Sequence, residues 1–409
     1  MSLIGSPTTG ARPPKLSNKP TIKRGSQFRE DKYYFPDGNT VILVDGHLFR
    51  VHQSLFERDS GFFQTLFSLP HGVNPQEGDF DPIEGKSDEN PIVCQDTLND
   101  FRALCWVLYS RPPDIIAQQN PNTVDIPKLI SVLAMSHKYD FPVFRSWSLD
   151  ALQSLSVSSP TDFVRKCDGG KWDNVGRVLK LAQQCNRSTL VGCIQQGWLS
   201  HISDSSRESV TAFVQALGVA ELSNDLRDFH GQAYYAYLKA TSIFDVRSVG
   251  TIAALDMNSV PSSYVHQDLR SLSESRKMRL YMGFWSLSQF RIRLAQAPIF
   301  PDRPSCPNHA RFCIPGWQDR WNTVIREAEQ KGRCLNDPGK LLEEVHGSIN
   351  GGGAVRSPGN RSQVVSCHGF IVEQFNSMKQ NFDSRIADHF LIPTEDVGTH
   401  LFTQLAQRN

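Results

Sequence analysis

Four side chains toward the C-terminal end of the sequence have the residue types and spacing that hold a soft or borderline metal ion. Cys306, His309 and Cys313 sit in the run Cys306-Pro307-Asn308-His309-Ala310-Arg311-Phe312-Cys313, and Cys367-His368 follows beyond a glycine-rich insert. Tetrahedral zinc takes four nitrogen or sulphur donors, often as short-spaced pairs, and Cys-x2-His is within the usual spacing. An adjacent Cys-His pair seldom supplies two ligands, so Cys367 is the expected fourth, with Cys334 as another candidate. The competing reading is buried cysteines beside a surface histidine. A zinc held by Cys306, His309, Cys313 and Cys367 would be closed and structural, because no further group points to an activated water.

Other chemistry is thin. The sequence has no G-x-G-x-x-G after a strand, no G-x-x-x-x-G-K-[ST], no H-E-x-x-H and no G-x-S-x-G. The run Asn350-Gly351-Gly352-Gly353-Ala354 lacks a preceding strand and a lysine, so it reads as a linker and not a phosphate cradle. The expectation is a protein that is not an enzyme. Cys94, Cys105, Cys167, Cys185 and Cys193 fall mostly on apolar faces and read as small buried hydrophobes.

The elements that must carry these groups follow from pattern. Residues 1–27 contain no acidic residue and few large apolar ones, so they read as a disordered basic tail; Arg12, Lys15, Lys19, Lys23 and Arg24 make it a solvated segment or a phosphate-contacting patch. Order begins near Phe28. Val41 to Val44 and His47 to Val51 flank Asp45-Gly46, a strong hairpin signal. Leu55, Phe56, Phe62, Phe63, Leu66 and Phe67 predict two short helices broken near Ser60-Gly61. His71 to Pro91 reads as an exposed acidic loop, and Pro91 to Cys94 as one more strand. Leu98, Phe101, Cys105 and Leu108 predict a helix capped by Asp96 or Thr97; Leu129 to Tyr139 and Phe144 to Leu155 predict two more.

From Pro160 the pattern is almost wholly helical. Val175, Val178, Leu179 and Ala182 form one stripe, and Leu190, Ile194 and Trp198 another. Further helices are predicted at 209–217, 225–238 and 273–294, with Trp317, Trp321, Val324, Ile325 and Ala328 on one face of the next. Residues 347–360 read as a flexible Gly/Ser-rich insert, and helix resumes at Val364.

The stretch Asp37-Gly38-Asn39-Thr40-Val41-Ile42-Leu43-Val44-Asp45-Gly46-His47-Leu48-Phe49-Arg50-Val51-His52-Gln53-Ser54-Leu55 resembles the opening of BTB/POZ domains. Ser60, Phe63 and Phe67 match that family's next two helices, Leu104 to Tyr109 its helix ending in Leu-Tyr, and Leu129 to Phe141 its later helix ending near a Tyr. Ser87-Asp88-Glu89-Asn90-Pro91-Ile92-Val93 is similar to large fungal families of such proteins. The region after Ser158 is loosely like a BACK domain.

The resemblance implies an α+β BTB/POZ domain, a short mixed sheet with surrounding helices, followed by a mainly α-helical C-terminal region. The expected divisions are a tail at 1–27, the BTB/POZ domain at 28–155, a helical domain at 156–346, the flexible insert at 347–363 and a C-terminal helical segment at 364–409. It also implies protein–protein association: homodimerisation and a scaffold or adaptor role, with cullin-based ubiquitin-ligase adaptor and chromatin-associated protein as alternatives. Ser110-Arg111-Pro112-Pro113-Asp114 departs from the hydrophobic-x-Glu element of many cullin-3 binders, which counts against the ligase role. His52 matches a buried, hydrogen-bonded structural histidine of the family. Phe35, Phe49, Leu55, Phe56 and Phe63 are the candidate protein-interaction residues; each either packs in the core or contributes to an apolar patch for a partner.

Bulk properties agree with such a protein. Forty-three Lys and Arg against 42 Asp and Glu leave a formal net charge of +1 over 409 residues, which argues against wholesale nucleic-acid binding. Nine cysteines, an odd number spread over the length, point to a reducing compartment, cytoplasm or nucleus. No run approaches the roughly 20 apolar residues of a membrane span, and no secretion-signal core opens the sequence. A soluble intracellular protein without a membrane partner is the expectation.

Overall fold

The computed structural model describes residues 27–69, 84–168, 172–204, 208–240, 272–301, 305–330, 337–350, 355–357 and 360–391. The expected basic tail, most of the acidic loop, Cys334 and the last stretch of the C-terminal segment lie outside the described residues. The chain separates into two compact units, one of residues up to 118 with 131–148, the other of 119–130 with 149 onward. Most of the described chain is helical, with a small four-stranded mixed sheet near the N-terminus.

The sheet is built around a hairpin. Strands β2 (Thr40–Val44) and β3 (His47–Val51) pair antiparallel, Val44 opposite His47. Asp45 and Gly46 both take positive φ, 46° and 78°, the turn that matches the twist of the strands it joins. All five residues of β2 are buried, so it lies inside the sheet: β4 (Ile92–Cys94) pairs parallel on its far side. Strand β1 (Phe28–Tyr34) pairs parallel with β3, its register broken between Arg29 and Tyr34, and the order is β1-β3-β2-β4. Pattern analysis did not identify β1, because Arg29-Glu30-Asp31-Lys32 has no apolar alternation; it is an edge strand, where charge is tolerated.

Helices α1 (Gln53–Asp59) and α2 (Gly61–Ser68) break at Ser60, as its residue type predicts. The Ser60 hydroxyl accepts the Phe63 N–H at 3.1 Å to cap α2 and donates to the Tyr139 carbonyl. Helix α3 (Leu98–Tyr109) is capped by Thr97, which accepts from the Asp100 N–H at 3.2 Å. Helix α4 (Pro112–Ala117) begins on two prolines, proline being compatible with a first helical turn. Helices α5 (Ile126–Lys138) and α6 (Pro142–Ser158) follow.

This first unit corrects the list of interaction residues. Phe49, Phe56 and Phe63 are buried in the main core, with Phe101 of α3 and Phe141; Phe35 and Leu55 pack partly buried against it. The core accommodates these rings because strand and helix aromatics interlock edge to face, Phe49 on Phe101 at 4.7 Å and Phe56 on Phe63 at 5.0 Å. Phe62, one position from Phe63 on α2, faces outward instead.

The second unit stacks helices α7 (Pro160–Asp168), α8 (Asp173–Gln184), α9 (Ser188–Ser203), α10 (Glu208–Ala220) and α11 (Arg227–Ala240), the last entered through a 3-10 turn at Asn224–Leu226. The predicted stripes of α8 and α9 are buried, and Trp198 Nε1 donates to the Ala212 carbonyl at 2.9 Å. Helices α12 (Glu274–Arg293), α13 (Ile314–Gln330) and α14 (Pro338–Asn350) follow. Next come a two-stranded antiparallel pair, β5 (Arg356–Ser357) with β6 (Asn360–Val364), and helices α15 (His368–Ser384) and α16 (Ile386–Phe390). The expected insert at 347–363 is corrected at both ends. Helix α14 runs on to Asn350, because Leu341, Leu342, Val345 and Ile349 give it a buried stripe, and Arg356–Ser357 and Asn360–Val364 form strands. No helix of the described residues is long and apolar enough to cross a membrane.

Candidate metal centre

His309 and Cys313 begin and end one helical turn, and Cys306 lies three residues ahead of it in the preceding loop. The turn is irregular. Residues His309–Cys313 form a π-helical turn that runs directly into α13, with Phe312 and Cys313 both donating to the Asn308 carbonyl, at 2.9 and 3.4 Å. Such widened turns are common at functional sites, because they re-aim side chains without ending the helix. A bond from the His309 N–H to the Cys306 carbonyl, 3.1 Å, ties the loop to the turn.

The fourth residue arrives from the other side of the chain. Cys367 occupies the N-cap position of α15, but its side chain makes no capping hydrogen bond. His368 turns away, its Nδ1 accepting from the Val355 N–H at 3.3 Å. The adjacent pair therefore divides its work: Cys367 joins the cluster and His368 holds the strand. Close packing fixes the two sides together. A Cβ on Gly316, in the first turn of α13, would lie 2.3 Å from the Arg356 carbonyl oxygen, so β5 can approach this closely only over glycine. Beneath lie Trp317, Trp321 and Phe375, with Trp317 and Phe375 rings 6.0 Å apart.

The donor atoms of Cys306, His309, Cys313 and Cys367 all lie within 4.8 Å of one another, close enough to hold a metal ion. Cys306 Sγ is 3.9 Å from Cys313 Sγ, and His309 Nδ1 is 3.3 Å from Cys367 Sγ. His309, Cys313 and Cys367 are buried; Cys306 is partly exposed and also meets the Ser366 hydroxyl at 3.9 Å. Hydrogen bonding with Cys367 pulls the Cys306 thiol below its ordinary range; removal from water opposes this, and the Asn308 N–H, Ser366 and Cys313 add to it. Four donors complete a tetrahedron, and three sulphurs with one imidazole suit zinc-like rather than oxygen-seeking ions.

The other predicted site residues do not gather here. Of the remaining cysteines, Cys105 and Cys167 are buried as expected, but Cys94, Cys185 and Cys193 are only partly so. His52 is hydrogen-bonded, with Tyr109, yet its side chain keeps about a third of its surface exposed (31%), so it is not the buried residue anticipated.

One feature escaped the pattern reading. Met278, Tyr281, Met282, Trp285 and Ile292 line one face of α12, each between 55% and 66% exposed, while Leu280, Gly283, Leu287 and Arg291 are buried on another. Two apolar spacings interleaved in one helix were the available signal, since a helix apolar on both sides normally has both covered. No protein-family model, curated protein or solved structure matches the chain.

Proposed function

We propose that this protein is a non-enzymatic interaction scaffold, in which a BTB/POZ-type α+β unit pairs with a second copy and a zinc-stapled helical unit presents α12 to a protein partner. The α12 face carries this reading: five large apolar side chains at helical spacing are exposed together, the kind of patch that marks interaction surfaces. The order of hairpin, two short helices, strand and helices, with His52 bonded to Tyr109, supports the BTB/POZ assignment. Light scattering of the full chain at tens of micromolar should give twice the 46.0 kDa chain mass. A monomer at that concentration would end the self-pairing claim. Trp285→Glu should abolish capture of partners from a cell extract while leaving that mass unchanged.

The metal is zinc on this reading. A tetrahedron with Zn–S of about 2.3 Å and Zn–N of about 2.05 Å has edges of roughly 3.5–3.8 Å, and the spacings of 3.9 and 3.3 Å bracket those values. Bound there, the ion supplies cross-linking and no chemistry, joining the loop before α13 to the start of α15. Metal analysis should find about one zinc per chain. Less than a tenth of that would remove the ion from the proposal.

A further inference from the structure

The four ligands are not equivalent. Three are buried, and Cys306 alone is partly exposed, so a small solute reaches the cluster through that sulphur. Zinc holds its sulphur ligands as thiolates, the nucleophilic form. The Cys313 sulphur lies directly behind, 3.9 Å away. Cys306 sits in the turn ahead of the π-helical segment, whereas Cys313 ends that segment.

We infer that the centre is a hydroperoxide-sensitive latch, in which oxidation joins Cys306 to Cys313 and expels the zinc. The inference rests on the zinc reading above. The Cys306 thiolate attacks one oxygen of the hydroperoxide, the O–O bond breaks, and hydroxide or alkoxide leaves, giving a sulfenic acid at Cys306. The Cys313 thiolate then attacks that sulphur and displaces hydroxide, forming the disulfide. Two thiolates give up two electrons, the peroxide oxygens accept them, and the oxygen products take protons from water. Zinc changes no oxidation state. Left with His309 and Cys367 alone, it dissociates, because two ligands cannot close its coordination shell. The loop before α13 then loses its link to the start of α15.

The test uses the purified full chain and hydrogen peroxide, with released zinc read by a chromogenic chelator and disulfides mapped by peptide mass spectrometry. Zinc content is measured first. Protein that carries no zinc defeats the zinc reading itself, and the latch with it. Zinc-loaded protein should release its metal on peroxide treatment in step with a Cys306–Cys313 link, and reductant with added zinc should restore it. Zinc retained under peroxide, release without a disulfide, or a link from Cys306 to Cys367 would overturn the latch while leaving the zinc site standing. Cys306→His keeps four donors but removes the exposed sulphur. It should bind zinc and release it to peroxide at least about tenfold more slowly than the parent chain. Equal release rates would overturn the role of Cys306.

Discussion

Tyr109 holds the end of β3 and the start of α1 with one oxygen. Its hydroxyl accepts the His52 N–H at 3.0 Å and meets His52 Nδ1 at 2.9 Å, while His52 Nε2 lies 3.2 Å from the Asp37 carboxylate. Burial pushes the phenol up to about 12, so it keeps its proton across the physiological range. Tyr109→Phe removes both bonds and should lower stability by about 1–2 kcal/mol in urea unfolding, with little change in m-value. Two neighbours on α2 give a sharper contrast. Phe63→Ala opens the core and should lose about 3–5 kcal/mol, whereas Phe62→Ala, at an exposed position, should cost less than about 1. Chain pattern showed that these rings belong to short helices. It did not show how many the core would absorb, since that depends on rings from α3 and on Phe141 arriving from distant sequence.

Helix α14 shows how a local signal can be overridden in reading and still be decisive in folding. Asp337 precedes Pro338 and Gly339, a cap followed by proline at the first helical position. Its carboxylate accepts the N–H groups of Gly339 at 3.0 Å and Lys340 at 3.3 Å, and the buried Tyr235 hydroxyl donates to it. The glycines after Asn350 dominate the local composition, so pattern starts the insert at 347, inside the last turn of this helix. Asp337→Ala strips the cap and removes the bond from the Tyr235 hydroxyl, at a cost of roughly 1–2 kcal/mol. Asp337→Asn, which keeps an acceptor oxygen, should lose less; thermal unfolding of the two variants makes the comparison. Of the four candidate ligands, the loop triplet was readable from spacing alone. Cys367 was readable only as a candidate, because its approach depends on β5, β6 and the contact over Gly316, none of which leaves a sequence mark.

At the scale of the whole molecule, acid should act through two histidines of the helical unit. His230 and His389 are both lowered to about 4, mainly by burial. Each folded-state value lies below the ordinary 6.5, so the unfolded chain takes up these protons first. Stability is therefore full above about pH 6.5 and falls as pH drops toward 4, by on the order of 2–3 kcal/mol for each group. The unfolding midpoint should fall between pH 7 and pH 5, and His230→Gln should flatten that slope; an unchanged slope would remove His230 from the account. Division into a mixed-sheet unit and a helical unit followed from pattern. The allotment of 119–130 to the second unit did not, since it reflects packing between segments far apart in the chain.

One outer strand of the sheet, β1, bears on how the protein behaves when concentrated. Strand β1 offers an unpaired edge, but its register is broken, Arg29, Asp31 and Lys32 are exposed, and Glu30 turns inward to a two-point pairing with Arg102 at 2.8 and 3.0 Å. A growing fibril needs a flat, uncharged template, and this edge is neither. This edge of the sheet is thus protected against amyloid-type addition.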